Sequence, residues 1–149
     1  MSLISEKSAN PTPAGMYMKA ALSTGYVTYH MYDGDTRTDQ ISCSDGKYGL
    51  MTMGHSNLKR LIRQGVTAAN FVSWNSPQCN TCVRLDNMVS NATTFTRVID
   101  QCQLLGNGYY THFDVDPFTF ERLFGRAGIN RGHGFVKWTP VSISNCKVD

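Results

Sequence analysis

The chain has no apolar run long enough to cross a bilayer as a helix, so no transmembrane helix is expected. Charge is scarce: Asp, Glu, Lys and Arg make up 17% of 149 residues, and the net charge is only +3. A dedicated nucleic-acid module shows a stronger basic imbalance, gathered on one face. The four histidines are scattered and lack a metal-ligand spacing. The single CxxC, Cys79 to Cys82, has no second pair, and the VRLDN that follows reads as a strand rather than the helix of a thiol oxidoreductase. No metal and no cofactor is expected. The N-terminus lacks the apolar core of a signal peptide. The chain is therefore read as mature, with Met1-Ser2-Leu3 as a candidate non-native start. Internal repeats, low-complexity tracts and linkers are missing after residue 24.

What is present suits one compact unit. The length allows a single domain with one sizeable core. Thirteen glycines favour turns and strands over long helices. Five cysteines point to an oxidising compartment, with two bridges and one spare thiol. Each bridge closing a long loop would stabilise by about 3–4 kcal/mol. Asn91-Ala92-Thr93 is a glycosylation acceptor, consistent with secretion.

Residues 1–24 are polar at first, with two prolines, and read as a flexible lead-in to a domain spanning 25–149. Gly25 to Tyr32 alternates as a first strand: Tyr26, Thr28, His30 and Tyr32 share one face, and Val27, Tyr29 and Met31 the other. Short strands are expected at Gly49–Gly54 and Phe71–Trp74. One or two helical turns are expected over Ser56–Arg63. Thr81–Leu85 and Thr94–Asp100 read as a hairpin across Asn87–Asn91. Asp116 caps a helix that starts at Pro117 and stops at Gly125. Phe135–Val141 is the last strand. Leu58, Leu61, Ile62, Leu123 and Phe124 are core candidates, and Trp138 reads as buried. Lys59, Arg60 and Arg63 read as a solvated face. Many short strands and few helices imply a small closed β-barrel.

The chemistry concentrates between Phe95 and Phe120. A strand ends at Asp100, a loop broken by Gly106 and Gly108 follows, and Asp114 sits just before the helix. Tyr109, Tyr110 and Phe113 surround Asp114 in the sequence. Carboxylates accept hydrogen bonds from sugar hydroxyls, and rings cover the apolar sugar face. The plainer alternative is that Asp114 caps a turn and the rings are core.

Several motifs resemble the barwin, cerato-platanin and expansin superfamily, with barwin nearest overall. Val27-Thr28-Tyr29-His30-Met31-Tyr32 is similar to the first barwin strand. Cys43-Ser44-Asp45-Gly46, then Gly49-Leu50-Met51-Thr52, resembles a cerato-platanin segment, as does Trp74-Asn75-Ser76 leading to Cys79-Asn80-Thr81-Cys82. Cys82-Val83-Arg84-Leu85 and Val98-Ile99-Asp100-Gln101-Cys102 resemble barwin. His112-Phe113-Asp114 matches the expansin HFD motif. Arg131-Gly132-His133-Gly134 and Asn145-Cys146 again resemble barwin.

The resemblance implies a mainly β, six-stranded double-psi β-barrel with one or two short helices. It implies bridges Cys43–Cys79 and Cys82–Cys146 and leaves Cys102 as a free thiol. It implies a secreted, extracellular or cell-wall protein that binds polysaccharide without cutting it, as a monomer with no membrane partner. Chitin or β-glucan oligomers are the expected ligands, and a part in defence and recognition by plant immune systems is a further family expectation. Thr28, Asp100 and Asp114 match the functional threonine and aspartates of expansins. A third position, usually aromatic, falls at Cys102, which tells against wall loosening. Tyr29, Tyr109 and Tyr110 are candidate stacking rings. Whether catalysis occurs is left open, with the balance against it. The alternative is a barwin-type ribonuclease with RNA as substrate, His30 and His133 as base and acid, and Asp100 beside them. Lys137, Arg97 or Arg131 would then steady the phosphate. A weaker reading is an endoglucanase with Asp114 as acid and Asp33 or Asp35 as base. His55 and His112 receive no role.

Overall fold

A computed structural model describes residues 23–104 and 110–147. The expected lead-in at 1–24 falls almost wholly outside these residues, as do Gly106, Gly108 and Tyr109. Six strands form the body: β1 (Thr24–Tyr29), β2 (Val66–Ala69), β3 (Cys82–Asn87), β4 (Thr93–Gln101), β5 (Thr111–Val115) and β6 (Gly134–Val141). They close in the order β1-β5-β2-β4-β3-β6. The pairs β1/β5 and β2/β4 are parallel and the other four antiparallel. This is the expected closed six-stranded barrel, and closure leaves no sheet edge unpaired.

Alternation fills the interior. Val27, Val83, Leu85, Val98, Phe113, Val115 and Val136 point inward and are buried. Helix α1 (Pro117–Arg131) lays Phe120 and Leu123 on the same core. Asp116 caps it by accepting from the Thr119 amide, and Pro117 opens it. The fully buried Asp116 also accepts from the Val66 amide, so the cap pins the start of β2. Gly125 breaks α1 with φ of 74°. The helix was expected to stop there. Instead it resumes to Arg131 and ends on left-handed Gly132. Phe124 packs so closely on β6 that a Cβ at Gly134 would lie 2.3 Å from its ring.

The only helical elements in the segment from 30 to 65 are two short 3-10 turns, Thr38–Gln40 and Leu61–Arg63. The strand expected at Gly49–Gly54 is a run of turns, with the Met53 and Gly54 amides donating to Leu50 and Met51 carbonyls. The segment nevertheless has its own core. Tyr32, Ile41, Leu50, Leu58 and Leu61 pack with Val66 and Ile99 on the outside of the barrel. Each fully buried leucine there contributes about 1.5–3 kcal/mol.

Disulfide Cys43–Cys79 ties this layer to the barrel, and Cys82–Cys146 ties the C-terminal turn to β3. The separations of 36 and 64 residues correspond to about 4 kcal/mol each in the chain-entropy account. Cys102 is free. The strand expected at Phe71–Trp74 is a turn instead, and the strand nearby is Val66–Ala69. Trp74 is 59% exposed, whereas Trp138 is half-buried against Phe71 and Phe113.

Candidate functional site

Register brings the two aspartates together. Thr28 on β1 pairs with Asp114 on β5, Asp114 pairs with Ala68 on β2, and Ala68 pairs with Asp100 on β4. Lateral partners in a sheet share a face. Thr28, Asp114, Ala68 and Asp100 therefore form one row across four strands, on the barrel's outer side. Plain alternation would not place Asp100 there. Val98 points into the barrel, so Asp100, two residues on, would point in as well. A β-bulge prevents this. Thr67 pairs with Val98 but Ala68 pairs with Asp100, so Ile99 is an extra residue in β4. Val98 enters the inner core and Ile99 the outer one, and the bulge turns Asp100 outward.

Thr28, Asp100 and Asp114 are each part-exposed. Their surroundings differ. Asp100 accepts three hydrogen bonds: from the Tyr32 hydroxyl at 2.8 Å, the Ser42 amide at 2.8 Å and its neighbour Gln101's amide at 2.9 Å. Among the described residues Asp114 accepts one side-chain hydrogen bond, from Thr28 at 2.7 Å. A carboxylate offers about four acceptor positions. Asp114 thus retains most of its capacity for a ligand, and Asp100 little.

Behind Thr28 lies His112, buried to 6% exposure. Its Nε2 is 2.7 Å from the Thr28 hydroxyl, and its Nδ1 is 2.6 Å from the Gln103 carbonyl. A carbonyl can only accept, so Nδ1 carries a proton. The Thr28 hydroxyl donates to Asp114, so Thr28 stands between the buried imidazole and the carboxylate.

Tyr32 and Cys102 respond to both carboxylates. Burial raises the Tyr32 phenol far above its ordinary value, and Asp100 and then Asp114 raise it further. Burial pushes the Cys102 thiol up to about 12, with Asp114 and Asp100 adding to the effect. Cys102 is thus a protonated thiol near neutrality and a poor nucleophile.

The remaining candidates divide. Tyr29 leaves the row: it lies on the inner face of β1, against Phe120 at 4.9 Å, with its hydroxyl donating to the Ile129 carbonyl. Tyr110 is exposed and packs on Phe135. Tyr109 lies outside the described residues. His30 packs on Tyr32 and His133 on Tyr26. Among the described residues no hydrogen bond joins either imidazole to Asp100. Arg97, a candidate for phosphate, is buried and donates to the Cys146 carbonyl. Asp33 holds a turn, accepting from the Asp35 amide and the Thr36 hydroxyl.

Two partners went unrecognised in the sequence, Tyr32 and His112. Both carried a signal. Tyr32 shares the parity of Thr28, and His112 precedes Asp114 by two, which puts them on one strand face. Among the described residues no group of three or more His, Cys, Asp or Glu could hold a metal ion.

A small closed barrel with a part-exposed row of hydroxyl and carboxylate groups on its outer face defines the class. The cerato-platanin family model matches residues 23–148, and the chain belongs to that family. The motif likeness had ranked barwin first among three related groups; the match falls on cerato-platanin. The fold is similar to crystal structures of cerato-platanin 3 and cerato-platanin 2 from M. perniciosa. The first is 23% identical over 83% of this chain and 98% of that one, with a TM-score of 0.73. The second is 17% identical over 83% and 98%, with a TM-score of 0.68. The solution structure of the fungal elicitor cerato-platanin is 26% identical over 81% and 95%, with a TM-score of 0.58. No curated protein sequence matches the chain.

Proposed function

We propose that the protein binds cell-wall polysaccharide, of chitin or β-glucan type, through the outer row and does not cut it. The observation that carries this is the unequal pair of carboxylates. Asp114 is part-exposed, positioned by Thr28 and largely free to accept, so sugar hydroxyls can donate to it. Asp100 is held by three donors, which makes it a fixed wall rather than a base waiting for a water. Inverting hydrolysis needs a second carboxyl group free to activate that water, and Asp33, one of the two bases expected for it, is engaged in its own turn. Two disulfides fit the oxidising space outside the cell, where such a ligand is met. A family relative is described as a fungal elicitor, and recognition by a host is part of the same proposal.

The test is co-sedimentation with insoluble chitin and insoluble β-glucan, with Asp114→Asn beside the unmodified protein. Binding that falls about tenfold in the variant, with no release of reducing ends, is the expected result. Bulk RNA degradation lost in both His30→Ala and His133→Ala, with no polysaccharide bound, would replace this reading with the nuclease.

A further inference from the structure

The row does not end at Thr28. Tyr26 lies two residues earlier on the same face of β1, and pairs with His112 on β5 and with Phe135 on β6. Its ring contacts Phe135 at 5.4 Å and 59°, and His133 at 5.9 Å and 25°. Phe135 in turn contacts Tyr110 at 5.3 Å and 61°. Phe135 is 41% exposed and Tyr110 39% exposed, while Tyr26 and His133 are part-exposed. Four rings thus form a connected platform over β6 and β1, next to the Thr28 end of the row. The buried His112 joins the two, touching Tyr26 on one side at 5.9 Å and Thr28 on the other.

We propose that this platform is a second subsite, on which a β-linked oligosaccharide that engages Asp114 rests its further sugar rings. This rests on the polysaccharide reading above and extends it. Three features point to a sugar as the occupant. The platform is amphipathic: two tyrosines and an imidazole stand with the phenylalanine, so rings alternate with hydrogen-bonding groups. It is continuous with a row of hydroxyl and carboxylate groups, the other half of what a pyranose needs. The rings support one another, so little side-chain freedom remains to be lost on binding. Equatorially substituted β-linked sugars present flat C–H faces to such rings. From Asp100 on β4 to Phe135 on β6 there are four inter-strand steps of about 4.8 Å, or roughly 19 Å along the sheet. That span is suited to several linked units rather than one.

The experiment is calorimetric titration with chitin and β-glucan oligomers from dimer to hexamer. It uses the unmodified protein, the double variant Phe135→Ala/Tyr110→Ala, and Asp114→Asn. In the unmodified protein affinity should rise with length. The double variant should bind the dimer as the unmodified protein does and the hexamer about tenfold more weakly, which flattens the length dependence. Both side chains lie on the surface outside the two buried cores, so the double variant should stay folded, which its thermal unfolding checks.

If the double variant keeps the full length dependence, the platform is not a subsite. Equal loss of dimer and hexamer binding would also overturn it. So would self-association of the unmodified protein that the double variant lacks, because the rings would then serve a second copy of the chain. Failure of the reading beneath is separable. Dimer binding that persists in Asp114→Asn would overturn the role of the row while leaving the ring-dependent slope intact. A protein that binds no oligomer of any length would overturn both.

Discussion

The two aspartates of the outer row sit on either side of Ala68, yet one region around them is closed and the other open. On the β4 side, the segment from 30 to 65 folds over the barrel with its own apolar core. It delivers the Tyr32 hydroxyl and the Ser42 amide to Asp100. On the β5 side, Asp114 accepts a hydrogen bond only from Thr28 among the described side chains, and the platform beyond is exposed. Identical carboxylates therefore do different work. Asp100 links barrel to loop layer, and Asp114 stays open to accept, as the proposed ligand site requires. What distinguishes them is how many donors the rest of the chain supplies.

The strongest way to break this contrast is to truncate each in turn. Asp100→Ala leaves the Tyr32 hydroxyl and the Ser42 amide without their acceptor, and should cost about 3 kcal/mol in urea unfolding. Asp114→Ala should cost under about 1 kcal/mol while removing most polysaccharide binding. Equal losses of stability would show that the two sides are alike. A finer probe is Tyr32→Phe, which removes one hydrogen bond to a carboxylate and keeps the ring in its core. A loss of about 1.5 kcal/mol is expected, with oligosaccharide affinity changed less than twofold by the same titration.

A further test is in alkaline solution. Tyr32 and Cys102 both have folded values raised above their ordinary values of 10.0 and 9.0. The unfolded chain releases these protons first. The stability they contribute is fully present below about pH 9 and is lost as pH rises through about 9 to 12. Thermal midpoints of Tyr32→Phe/Cys102→Ser should fall less steeply over that range than those of the unmodified protein. Parallel slopes would show that folding does not raise these two groups.

How much of this was legible depended on whether a residue's neighbours were local. The strand from Gly25 was visible by alternation, although it ends at Tyr29 rather than Tyr32. The hairpin β3/β4 was visible because both strands carry β-formers around a polar turn. Asp116-Pro117 announced α1. By contrast β2, Val-Thr-Ala-Ala, is four residues buried on both faces, with small side chains and no alternation to read. Phe71–Trp74 looked more like a strand, and Tyr29 looked like a stacking ring until α1 was placed over it.

The sequence by itself determined the barrel class, the capped helix and the presence of candidate acids, because propensity, capping and cysteine count act over a few residues. The tertiary structure alone decided that Asp100 turns outward and becomes saturated while Asp114 stays open. One extra residue at Ile99 shifts the register only once β2 lies beside β4. The donors that hold Asp100 come from Tyr32 and Ser42, 68 and 58 residues away along the chain. Such contacts exist only when the barrel has closed.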